Sequence, residues 1–223
     1  MTDQRANEIL RILKHTYGMP TWAEPAVDPF RTLIVTIISQ NTNDRNTEKA
    51  FERLSNHFRI DPETLAHAQT KEIENSLKTA GLYRNKAKAI KQVSKVVVEK
   101  YRGNLKSVLS KPLEDARQEL MQLPNVGPKT ADVVLLFAGG RPTVPVDTHV
   151  NRISKRLGFA PASSDYEMVR RALQSLYHPR DYLAIHVLII SHGRKCCKAR
   201  SPHCGTCPLN DLCPSRNLLK RAS

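Results

Sequence analysis

No stretch of the 223-residue chain approaches the roughly 20 apolar residues that a bilayer-spanning helix needs. A helical membrane span is therefore not expected. The first residues, MTDQRANEIL, lack the apolar core of a secretory signal. The expected location is intracellular, in the cytoplasm or nucleoid. Cysteine is missing until position 196, and all five cysteines then fall in one short segment: Cys196, Cys197, Cys204, Cys207 and Cys213. Such clustering argues against a disulfide framework and for a metal site. Acidic residues are scarce, with 21 Asp and Glu against 35 Lys and Arg, which leaves a net charge of +14. A basic surface of this kind favours a polyanionic partner, because binding phosphates releases counterions. Alternating strand patterns, fixed-period repeats and low-complexity linkers are also missing.

What is present is helical. Hydrophobic residues make up 40% of the chain, enough for a folded core. Asp61 and Pro62 suit the N-cap and first turn of a helix through DPETLAHA. Thr70 suits the cap of KEIENSLKTA, with Gly81 as a left-handed stop. Ala87, Ile90, Ser94, Val97 and Tyr101 follow a 3-4-3-4 spacing, closed by Gly103. Ser164 and Glu167 match a capping box ahead of YEMVRRALQSL. Leu33–Ile38 is almost wholly apolar, as in a helix buried on all sides. The fold expected is all-α. The loop-forming run Gly139–Pro145 is the natural domain edge. Trp22 is expected in the core, and the tail after Cys213, with Lys220 and Arg221, is expected to fray.

Between two helical patterns lies LPNVGPKTA, residues Leu123 to Ala131. A helix that stops near Pro124, turns through Asn125, Val126 and Gly127, and restarts at Pro128 is a helix-hairpin-helix. Asn and Gly both tolerate positive φ, and Pro suits a first helical turn. Consecutive backbone N–H groups at a helix start make a phosphate site that reads backbone rather than sequence. Lys129 then sits in the first turn, where the macrodipole disfavours its cationic form. A neutral amine is what nucleophilic attack on carbon requires. Eighteen residues on, Asp147 in VPVDTH suits an N-cap. A fixed carboxylate there can assist an amine or stabilise an oxocarbenium-like sugar.

Together LPNVGPKTA, VPVDTH and HGRKCCKARSPHCGTCPLNDLC closely resemble the endonuclease III branch of the helix-hairpin-helix DNA glycosylases. SQNTND (Ser39–Asp44) and GLYRNKA (Gly81–Ala87) extend the likeness over nearly the whole chain. The resemblance implies a six-helix barrel domain over residues 25–137, containing the hairpin. A second domain, residues 1–24 with 138–223, would carry a [4Fe–4S] loop over residues 197–213, and DNA would bind in the cleft between the domains. It makes Lys129 the catalytic lysine and Asp147 the catalytic aspartate of a bifunctional glycosylase and abasic-site lyase. The implied substrates are oxidised or ring-saturated pyrimidines in double-stranded DNA, with abasic sites, and the enzyme acts as a monomer.

Two positions depart from the family pattern. Asn125 stands where the hairpin usually has Gly. Asn41 stands where the family commonly has the Gln that fills the space left by a flipped base, with Gln40 just before it. Mismatch excision of uracil or thymine is the alternative activity, and a metal-stapled DNA-binding protein the non-enzymatic one.

Cys197, Cys204, Cys207 and Cys213 are spaced C-x6-C-x2-C-x5-C. Four thiolates in one loop suit tetrahedral zinc or a cubane cluster alike. The resemblance selects the [4Fe–4S] cluster and leaves Cys196 as the spare thiol. Lys198, Arg200 and His203, between the first two ligands, would offer a basic edge to phosphate.

Overall fold

The computed structural model describes residues 4–23 and 28–216. Every regular element among them is helical, and no strand occurs. The side chain of Trp22 and the tail bearing Lys220 and Arg221 lie outside the described residues. The chain divides into two compact units, Pro25–Arg141 and Met1–Glu24 with Pro142–Ser223. The division falls within the Gly139–Pro145 loop run.

The helices in chain order are α1 (Gln4–Tyr17), α2 (Pro29–Ser39), α3 (Asp44–His57), α4 (Pro62–His67), α5 (Thr70–Ser76), α6 (Tyr83–Tyr101), α7 (Lys106–Leu109), α8 (Leu113–Met121), α9 (Pro128–Gly139), α10 (Thr148–Arg156), α11 (Tyr166–Leu176) and α12 (Tyr182–Lys195). The central unit holds α2–α9, and the other holds α1 with α10–α12.

The central unit is built around α2. Asp28 caps it by accepting from the N–H groups of Phe30 and Arg31, and Pro29 fills the first turn. Leu33, Ile34, Ile37 and Ile38 are fully buried among Leu54, Leu65, Ile73, Ile90, Leu120 and Leu135. Each such side chain contributes about 1.5–3 kcal/mol by leaving water. The continuous apolar run is therefore a central helix, as its composition predicts. On α6 the 3-4 spacing buries Ala87, Ile90, Ser94 and Val97.

Three local expectations are corrected. Thr70 is the first residue of α5 rather than its cap, and Gln69 before it makes no side-chain cap bond. That helix ends at Ser76, and the positive φ falls on Leu82 (60°) instead of Gly81. Leu77 and Ala80 are both fully buried, so the chain leaves the helix early to pack them, and packing overrides the local stop signal. At α11 the cap is Asp165, which accepts from Met168 N–H at 2.8 Å. The Ser164 hydroxyl is buried without a hydrogen-bond partner among the described residues, and Glu167 pairs with Arg170 at 3.0 Å. This register turns Val169 and Leu173 inward.

Candidate active site and metal centre

The hairpin forms where the sequence places it. Helix α8 ends at Met121 and α9 begins at Pro128. Of the two permissive residues, only Asn125 uses positive φ, at 61°. Gly127 has φ −95° and ψ −178°, an extended conformation open to any residue. A Cβ there would meet nothing within 4 Å. Neither the backbone conformation nor the packing of the fold requires glycine at this position. Val126 turns inward: its side chain is buried and its N–H donates to the Leu123 carbonyl at 3.2 Å. Its N–H is therefore committed to the turn, and Asn125 and Gly127 are the exposed members.

The hairpin arms are locked by a buried ion pair. Arg117 on α8 donates to Asp132 on α9 at 3.0 Å, with side chains 4% and 0% exposed. Breaking such a pair costs about 3–5 kcal/mol, because one charge is left uncompensated. Lys129, half-buried, is the second residue of α9, one turn before Asp132.

A second feature of this unit adjoins the hairpin. The Gln40 amide donates to the Asn125 carbonyl at 3.4 Å. Asn41 is exposed and left-handed (φ 52°). A Cβ on Gly81 would stand 3.6 Å from the Asn41 carbonyl, so the Gly81–Leu82 turn lies against this tip. Leu82 is left-handed and 58% exposed. A left-handed backbone is costly for leucine, and here it leaves a large apolar side chain facing solvent. Sequence reasoning missed it, because a leucine beside a glycine reads as ordinary core.

In the other unit Asp147 caps α10, its carboxylate accepting from Val150 N–H at 2.7 Å. The approach to it is fixed. Val146 N–H donates to the Tyr166 hydroxyl at 3.3 Å, and a ring nitrogen of buried His186 lies 2.9 Å from the Pro145 carbonyl. Helix α10 also packs tightly on α12, where a Cβ on Gly193 would fall 2.4 Å from His149 Nδ1. Lys129 and Asp147 thus belong to different units, each held by its own helix start.

The five thiols line one cavity of about 390 Å³, its open mouth included. Short helical turns at Cys204–Thr206 and Asn210–Leu212 bring Cys207 and Cys213 to it. Burial pushes the Cys207 thiol up to about 12 and raises Cys213 as well. Thiolates in so dry a pocket need a cationic centre, and a metal core supplies one. The donor atoms of His192, Cys196 and Cys207 lie within 4.8 Å of one another, so Cys196 shares the cavity rather than standing apart. Cys197 is distinguished by a guanidinium. Arg156 donates to its sulfur at 3.3 Å and to the carbonyls of Lys198 and Ala199 at 2.7 and 3.0 Å. Arg152 donates to the Cys197 carbonyl at 2.9 Å. These bonds brace a loop on which Lys198, Arg200 and His203 are all exposed.

Comparison with known proteins decides the family. Residues 34–179 match the HhH-GPD superfamily of base excision DNA repair proteins, and residues 197–213 match the iron–sulfur binding domain of endonuclease III. Endonuclease III from Thermotoga maritima is 39% identical over 83% of both chains, and that from Escherichia coli 34% identical over 96% of both. The chain belongs to the endonuclease III family. A solved structure of a trapped endonuclease III–DNA covalent intermediate, in its estranged-adenine complex, superposes with a TM-score of 0.86. It is 34% identical and covers the whole of both chains. The endonuclease III iron–sulfur match begins at Cys197 and ends at Cys213, leaving Cys196 outside. The cofactor is an iron–sulfur cluster, and the clustered thiols fit the [4Fe–4S] type. As a member of the endonuclease III family the chain is a base excision repair enzyme. Among the described residues no helix is long and apolar enough to cross a membrane.

Proposed function

We propose that this member of the endonuclease III family excises oxidised or ring-saturated pyrimidines from duplex DNA, acting as a monomer, and then cuts the abasic strand. The observation that carries this reading is Lys129, half-buried in the first turn of α9 directly after a bare backbone turn. The turn at Asn125 and Gly127 holds phosphate, and Lys198 and Arg200 add a basic edge. The damaged nucleotide leaves the stack for a pocket. Gln40 and Asn41 occupy the gap it leaves, and Leu82 wedges the adjoining step.

The neutral Lys129 amine attacks the sugar C1′, and the C1′–N bond breaks as the base departs with its electron pair. The amine loses its proton and ring opening gives a Schiff base. That Schiff base acidifies C2′; loss of a C2′ proton and cleavage of the C3′–O bond release the 3′ phosphate oxygen by β-elimination. Hydrolysis then frees the lysine. Asp147 stabilises positive charge at the sugar and assists activation of the amine. Cys197, Cys204, Cys207 and Cys213 hold the [4Fe–4S] cluster, which when bound staples the loop that carries the basic edge.

Single-turnover assays on duplexes carrying thymine glycol, uracil opposite guanine, thymine opposite guanine or an abasic site test the assignment. Excision of thymine glycol with strand cutting is expected. Excision confined to uracil or thymine mismatches would replace this substrate class, and no excision with intact binding would leave a DNA-binding protein.

A further inference from the structure

Lys86 is a buried cation that the proposed chemistry does not use. It is 4% exposed on the first turns of α6. Its Nζ donates to the Ile38 carbonyl at 2.8 Å, and burial lowers its pKa from the ordinary lysine value. An apolar side chain would fill the same space without that desolvation cost. Ile38 lies at the C-terminal end of α2, where carbonyls lack helical partners and the dipole favours a cation. The same residue is tied to the other tip through its backbone, because Lys86 N–H donates to the Leu82 carbonyl at 3.1 Å. One residue therefore bonds to the helix end that leads into Gln40–Asn41 and to the turn that presents Leu82.

We propose that Lys86 is a positioning residue that clamps the end of α2 to the start of α6, so that Gln40–Asn41 and Leu82 enter DNA at a fixed spacing. It touches no DNA itself. This rests on the base-extrusion reading above. Its loss leaves phosphate holding intact, because the hairpin is locked separately by Arg117 and Asp132. What fails is the concerted insertion.

The test uses the full-length holoprotein and a duplex with a tetrahydrofuran abasic analogue opposite 2-aminopurine, whose fluorescence rises when it is unstacked. The wild type should raise the fluorescence on binding. Lys86→Met should bind the duplex within about threefold of wild type but lose most of the rise. Lys86→Arg, which keeps a donor, should recover it. Gln40→Ala should lose much of the rise, and the double variant Gln40→Ala/Lys86→Met should be no worse than Lys86→Met, since coupled residues are not additive. A full rise from Lys86→Met, or effects that add, would overturn the proposal. Joint loss of affinity, fluorescence and visible absorbance in Lys86→Met, with Lys86→Arg equally impaired, would mark a fold residue and overturn it too. No rise with the wild type would overturn both this proposal and base extrusion. A wild-type rise matched by Lys86→Met would overturn this proposal alone.

Discussion

The guanidinium of Arg156 lies 3.3 Å from the sulfur of Cys197 and, in the same stroke, holds the carbonyls of Lys198 and Ala199. That contact, together with its place at the first residue of the matched iron–sulfur segment, is the basis for proposing Cys197 as a cluster ligand. Cys196, though buried in the same cavity, instead lies 3.6 Å from the His203 carbonyl. Cys197→Ser should therefore abolish the visible absorbance of the purified protein, and Cys196→Ser should retain it. Absorbance lost from Cys196→Ser and kept by Cys197→Ser would reverse the ligand assignment.

Gly127 offers a clean separation of fold from function. Its backbone is extended and a Cβ would meet open space, so Gly127→Ala should melt within a few degrees of wild type. If the bare turn admits a phosphate, the methyl group should weaken binding to an undamaged duplex by about tenfold, roughly 1.4 kcal/mol. Titration of a fluorescent duplex at fixed salt gives the number. Unchanged affinity would remove the turn from the interface.

Asp147 both caps α10 and, in the proposed chemistry, stabilises charge. The two roles come apart by substitution. Asparagine keeps an oxygen that accepts from Val150 N–H, whereas alanine loses about 1 kcal/mol of cap. Asp147→Asn should thus keep its stability to denaturant while losing most of its base excision in single turnover. Excision that tracks stability across Asn and Ala would reduce Asp147 to a cap.

Much of this was legible in the sequence because it depends on local chemistry. The all-helical fold follows from period and caps such as Asp61 with Pro62, and the hairpin from Asn125 and Pro128. The metal loop follows from cysteine spacing. What stayed hidden depends on tertiary packing. The end of α5 at Ser76 is set by burying Leu77 and Ala80, not by Gly81. Leu82 looks like core until its exposure is seen, and Val126 looks like a donor until its N–H is found bonded within the turn. The burial of Lys86 and Arg117 has no local signal, since nothing nearby in the sequence announces that a cation will be buried against a carbonyl or a distant carboxylate.

The central claim is that Lys129 forms a covalent bond to the sugar. Borohydride reduction during incubation with an abasic duplex tests it most directly, because it fixes the Schiff base as a stable adduct that denaturing gels resolve. Wild-type protein should yield the adduct, and Lys129→Ala should yield none while still binding the duplex. An adduct formed at the wild-type rate by Lys129→Ala would contradict the assignment.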